Sequence, residues 1–134
     1  MMRFNLKKVA LVFSAMLLAV TLTGCKSKPV KNIDAQALPS TVTSASQVKD
    51  AIIRAGRTLG WVVKEKDAQT LEATLILRKH VANITIPYSD TSYSLLYKTS
   101  ENLGYDAEEK TIHSNYNGWI SNLDRQVQLQ LSAM

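Results

Sequence analysis

Residues 71–97 read LEATLILRKHVANITIPYSDTSYSLLY, and their period decides the fold. Leu71, Ala73, Leu75 and Leu77 alternate with Glu72, Thr74, Ile76 and Arg78. Successive side chains on a strand point to opposite faces, so this pattern is a strand with one face to bury. Ile84, Ile86 and Tyr88 alternate with Asn83, Thr85 and Pro87 in the same way, as do Tyr93, Leu95 and Tyr97 with Ser94, Leu96 and Lys98. Pro87 has no N–H for a ladder bond and belongs at a strand end or an edge. Ser89-Asp90-Thr91 turns the chain. Upstream, Trp61-Val62-Val63 opens a short strand and Lys66-Asp67-Ala68-Gln69 makes a turn. The segment therefore predicts three or four antiparallel strands in a meander, because the long crossovers that parallel pairing requires are missing.

On either side of the meander the period changes to that of a helix. Val48, Ile52, Ala55 and Leu59 recur at spacings of 4, 3 and 4, which is one helical stripe. Ser44 with Gln47 matches a capping box at its start, and Gly60 is a C-terminal stop. A second stripe, Tyr116, Trp119, Leu123, Val127 and Leu131, with Ile120 beside it, predicts a last helix from near His113 or Ser114 to about Leu131. Gly118 inside it costs up to ~1 kcal/mol against alanine. Between the strands and that helix lies an acidic loop, Ser100 to Lys110. The expected architecture is α+β: an N-terminal helix, the meander and a C-terminal helix, both helices on one sheet face.

The amino end is of a different kind. Arg3, Lys7 and Lys8 precede an almost unbroken apolar run from Val9 to Leu22, whose 14 residues fall short of the roughly 20 a membrane helix needs. A basic start, a short apolar run and small residues before a cut make a secretory signal. Leu22-Thr23-Gly24-Cys25 resembles the lipobox of bacterial lipoproteins. That resemblance implies cleavage between Gly24 and Cys25, a thioether from the Cys25 sulfur to diacylglycerol, and acylation of the new amino group. Each buried CH₂ of an acyl chain contributes about 0.8 kcal/mol, so two or three chains make a durable anchor where one holds marginally. In that family Asp after the cysteine favours the inner membrane; Lys26 here implies the outer membrane, facing the periplasm. The expected organisation is a signal over residues 1–24, a flexible tether over 25–43 with two prolines and no sustained period, and one domain over 44–134.

The net charge of +5 follows from this organisation. Six of the sixteen basic residues and one of the eleven acidic residues lie before residue 45, which leaves ten of each in the remainder. A domain that is formally neutral gives no reason to expect nucleic-acid binding, which needs a basic patch on the domain itself. Cys25 is the only cysteine, so stability must come from a core and not from disulfides.

The densest unusual stretch is Ile112-His113-Ser114-Asn115-Tyr116-Asn117-Gly118-Trp119. With Asn102 and Tyr105 upstream it gathers polar and aromatic groups at one end of the last helix. As a recognition site, Asn102, Tyr105, His113 and Asn117 would stack on and hydrogen-bond a peptide or sugar. As structure, His113 or Ser114 caps the helix, Tyr116 and Trp119 are core, and Asn102 ties down the loop. The structural reading is the simpler. The string also resembles one in small bacterial lipoproteins, a resemblance that implies no activity and transfers no functional residue.

Catalysis finds little to stand on. Ser114 adjoins His113, but helix neighbours do not face each other, and no Gly-x-Ser-x-Gly elbow is present. Asp106, Glu108 and Glu109 read as a solvated loop. His80 and His113 are the only histidines, too few for a zinc site of three or four ligands, so neither a metal nor another cofactor is expected. The sequence thus points to a non-enzymatic binding or envelope-assembly module held by membrane lipid through acylated Cys25. Its partner would be an envelope protein or cell-wall glycan. The alternative is an accessory subunit of an outer-membrane assembly or secretion complex, and an envelope-acting enzyme comes third.

Overall fold

A computed structural model of the chain describes residues 27–134. The expected signal over residues 1–24 and Cys25, the expected lipidation site, lie outside them. Within the described residues the protein is α+β, a five-stranded antiparallel sheet with two helices.

Local chemistry fixes the first helix, α1 (Ala45–Thr58). The Ser44 hydroxyl accepts from the Gln47 backbone N–H at 3.2 Å, and the Gln47 side chain accepts from the Ser44 N–H at 3.2 Å. Two otherwise orphaned donors are satisfied by this exchange. The helix stops where Gly60 takes a φ of 86°, a left-handed conformation natural only to glycine. Its inner face carries Val48, Ala51, Ile52, Ala55 and Gly56. A Cβ on Gly56 would stand 2.6 Å from Val63 Cγ2, so glycine is what lets helix and sheet close on each other here.

Four strands follow α1: β3 (Val62–Asp67), β4 (Thr70–Leu77), β5 (His80–Pro87) and β6 (Ser92–Glu101). Each pairs antiparallel with the next. Leu71, Ala73 and Leu75 of β4 and Ala82, Ile84 and Ile86 of β5 are buried. They join the inner faces of both helices in one continuous core. Pro87 ends β5, where its missing N–H disturbs no interior ladder bond.

Residues 25–43, expected to be a flexible tether, depart from that expectation over their described part. Ser27–Pro29 form β1, which pairs with a short strand β7 (Thr111–His113), and Ile33–Ala37 form β2, which takes the free edge of β6. The sheet order is therefore β2-β6-β5-β4-β3. The reason the pattern is illegible is physical. A register shift between Ile33 and Gln36, with Ala35 at a φ of 50°, breaks the two-residue period. Side-chain bonds to β6 supply the missing order: Ser94 Oγ accepts from Ala35 N–H at 2.9 Å, and the segment's own Asn32 Oδ1 accepts from Tyr97 N–H at 2.8 Å. Gln128 Nε2 donates to the Ala37 carbonyl at 3.1 Å. The domain thus begins before residue 44.

The last helix, α2 (Ser114–Ser132), buries Tyr116, Ile120, Leu123, Val127 and Leu131. Trp119, expected on the core stripe, is half-buried beside it, and Ile120 takes the central place. Trp119 instead flanks a cavity of ≈ 80 Å³ with Leu59, Trp61, Leu75 and Asn122. A 3.6-residue period cannot seat both 119 and 120 on one line, and the spacing from Tyr116 to Ile120 to Leu123 is the better match to the sheet.

Candidate functional site

The expected site residues meet at one joint, where the β1–β7 pair and the start of α2 lean on the end of β6. Their polar groups are used within the fold. His113 caps α2, its Nδ1 accepting from the Asn115 N–H at 3.1 Å, while its own backbone N–H donates to the Leu103 carbonyl at 2.9 Å. Asn117, expected to be free for a ligand, clamps the strand end of β1. Its Nδ2 donates to the Pro29 carbonyl at 2.8 Å and its Oδ1 accepts from the Lys31 N–H at 2.9 Å. Asn102 adopts a φ of 57° and donates from Nδ2 to the Lys79 carbonyl at 2.7 Å. His80 Nδ1 meets the Asn102 carbonyl at 2.6 Å, as a donor in that tautomer. Together these bonds fasten the β4–β5 hairpin to the end of β6.

Tyr105 differs, since its ring stays partly exposed. It stacks on Tyr97 with centroids 4.3 Å apart, and Tyr97 meets Tyr116 edge to face at 5.6 Å. Both arrangements suit the aromatic quadrupole. Tyr97 shares a 2.8 Å hydroxyl contact with Ser100. Burial pushes the Tyr97 and Tyr116 phenols above the ordinary phenol range, so both hold their protons. The Tyr116 hydroxyl is buried and has no hydrogen-bond partner among the described residues. Tyr97 carries the aromatic stack, and an alternating strand position gives no hint of that in sequence.

A second polar region lies on the sheet face turned away from the helices. Thr74 Oγ1 donates to Asn83 Oδ1 at 2.7 Å and Asn83 Nδ2 donates to Thr99 Oγ1 at 2.9 Å, a ladder across three strands. Lys98 Nζ bonds Glu72 Oε1 at 2.7 Å, and this contact holds the Glu72 carboxyl below its usual range. These residues line a shallow depression of ≈ 270 Å³. The outward places of Glu72, Thr74, Asn83 and Lys98 in the alternation were legible; that of Thr99 was not, because a register shift between β5 and β6 sets it opposite Asn83. A hydrogen-bonding face of this kind can offer hydroxyl, amide and charged groups to a peptide or a glycan.

Among the described residues no three His, Cys, Asp or Glu side chains gather where they could hold a metal ion. His113 has no carboxylate hydrogen-bond partner among them. The chain matches no protein-family model, no curated protein and no solved structure.

Proposed function

We propose that this chain is the precursor of a bacterial lipoprotein, cut between Gly24 and Cys25 and anchored by diacylglycerol on Cys25. Its α+β domain then works at the periplasmic side of the envelope as a non-enzymatic binding or assembly module. The observation that supports this reading best is the junction of motif and fold. Leu22-Thr23-Gly24-Cys25 ends two residues before Ser27, and Ser27 is already paired with His113. A cut at Gly24 thus spares every described strand and helix. No described helix is long and apolar enough to cross a membrane, so an acyl anchor is the attachment this reading needs.

Lys26 after the cysteine supports the outer membrane as the destination, by the lipoprotein sorting pattern. The polar outer face of the sheet supports an envelope protein or cell-wall glycan as the partner. Replacing Cys25 by Ala tests the anchor. Cells fed a palmitate analogue should label the wild-type chain and leave Cys25→Ala unlabelled, with its signal uncut. Label retained by Cys25→Ala would refute the reading.

A further inference from the structure

The end of the domain that carries the anchor has an unusual surface. Ser27 pairs with His113, the His113 N–H donates to the Leu103 carbonyl, and neighbouring Asn102 is bonded to Lys79 and His80. That short path leads from the strand nearest Cys25 to the tip of the β4–β5 hairpin. The hairpin, the end of β6, the end of α1 and the start of α2 all lie at this end. The turns at 67–70 and 88–92 lie at the other.

At the hairpin tip the apolar and basic residues are outside. Ile76 is 67% exposed and Leu77 47% exposed. Ile76 is paired with Val81, and Val62, 59% exposed, flanks them on the same sheet face. Arg78 and Lys79 form the turn itself, and neither is in an ion pair among the described residues. Arg78 has a φ of 57°, where glycine would be at ease and a long side chain is not. Glu101, opposite Val81, is the acid nearest the tip. Asp106, Glu108 and Glu109 lie beyond the Pro29–Thr111 end of the β1–β7 ladder, the end away from Ser27.

Only Lys26 separates Cys25 from Ser27. Two peptide steps span at most about 7 Å, so a lipid on Cys25 holds this end of the domain against the headgroups. We propose that the β4–β5 hairpin tip is a membrane-docking surface. Ile76 and Leu77 enter the interface, and Arg78 and Lys79 meet anionic phospholipid. Exposed aliphatics rimmed by cations suit that boundary, where apolar burial and attraction to anionic headgroups act together. Acylation and the hairpin then supply two points of contact, which fix the orientation of the domain and turn the opposite end, with its 88–92 turn, toward the periplasm. The inference rests on the anchor at Cys25.

The test uses the mature acylated protein in vesicles of phosphatidylethanolamine and phosphatidylglycerol, after its mass has established the acyl chains. A nitroxide is placed on Leu77→Cys, and on Asp90→Cys at the far end as reference. Acylated Cys25 cannot react, so each variant carries one label. The Leu77 label should collide with oxygen dissolved in the bilayer and be shielded from an aqueous nickel chelate, while the Asp90 label should do the reverse. Adding Arg78→Gly and Lys79→Gln should reduce the oxygen contact at Leu77 at least twofold and melt no earlier than wild type, since glycine relieves the turn. A Leu77 label as water-exposed as Asp90 would overturn the inference while leaving the anchor intact. So would one shielded only in native membranes, which would indicate a protein partner. A chain without the acyl mass would overturn the anchor and the inference together.

Discussion

Asn117 shows how a single side chain changes meaning once its partners are known. In sequence it lies off the apolar stripe of α2, and a solvated asparagine there would be expendable, its loss costing under ~0.5 kcal/mol. In the fold its amide bonds both Pro29 and Lys31 and closes the β1–β7 corner. A net hydrogen bond contributes about 0.5–1.5 kcal/mol, so Asn117→Ala should destabilise the domain by about 1–2 kcal/mol in a denaturant melt. A change under ~0.5 kcal/mol would return Asn117 to the solvent. His113 was legible as a cap because that role is local, reaching Asn115 two positions on, whereas Asn102, expected to tie down its own loop, bonds Lys79 and His80 across 23 and 22 positions. The reach of Asn117 over 86 to 88 positions is not encoded in any local period.

Among the elements, those that repeat a period were readable and those that borrow their order were not. The α1 stripe, its capping box and the alternation of β4 and β5 belong to the residues that form them; β6 departs from its alternation, since Ser94 is buried between Tyr93 and Leu95 and the register shifts opposite Asn83 and Ile84. Strands β1 and β2 have three and five residues, and β2 is bulged; their hydrogen bonds come from β6, β7 and α2. Helix α2 is an intermediate case. Its existence and start at His113 follow from the sequence, but two large apolar residues in succession, Trp119 and Ile120, compete for the core line. The spacing that docks α2 on the sheet buries Ile120 fully and leaves Trp119 at the side. Truncating a buried isoleucine costs about 2–5 kcal/mol, whereas a fully buried Trp would cost about 3–5. Ile120→Ala should therefore lower the melting temperature more than Trp119→Ala, despite the larger volume lost at Trp119. The opposite order would place Trp119 in the core and rotate the helix.

For the whole molecule the decisive feature is that the fold begins at the proposed anchor instead of a linker's length away. A domain on a flexible tether over residues 25–43 would tumble freely above the bilayer, with an end-to-end spread of about 22–26 Å. With a lipid on Cys25 as proposed, strands starting at Ser27 would turn the hairpin, the aromatic joint and the entry of α2 toward the membrane and leave the outer sheet face open to the side. Function would then depend on orientation as well as on the composition of a surface. Hydrogen exchange of the mature protein tests this most directly, at the amides of Val30, Lys31 and Ala35. Their donors reach Lys110, Asn117 and Ser94 within the fold. They should exchange about 10²-fold or more slowly than in an unstructured peptide, an opening free energy of roughly 3 kcal/mol. Exchange at the free-peptide rate across residues 27–37, with β4 and β5 protected, would restore the flexible tether and contradict a domain held directly by its lipid.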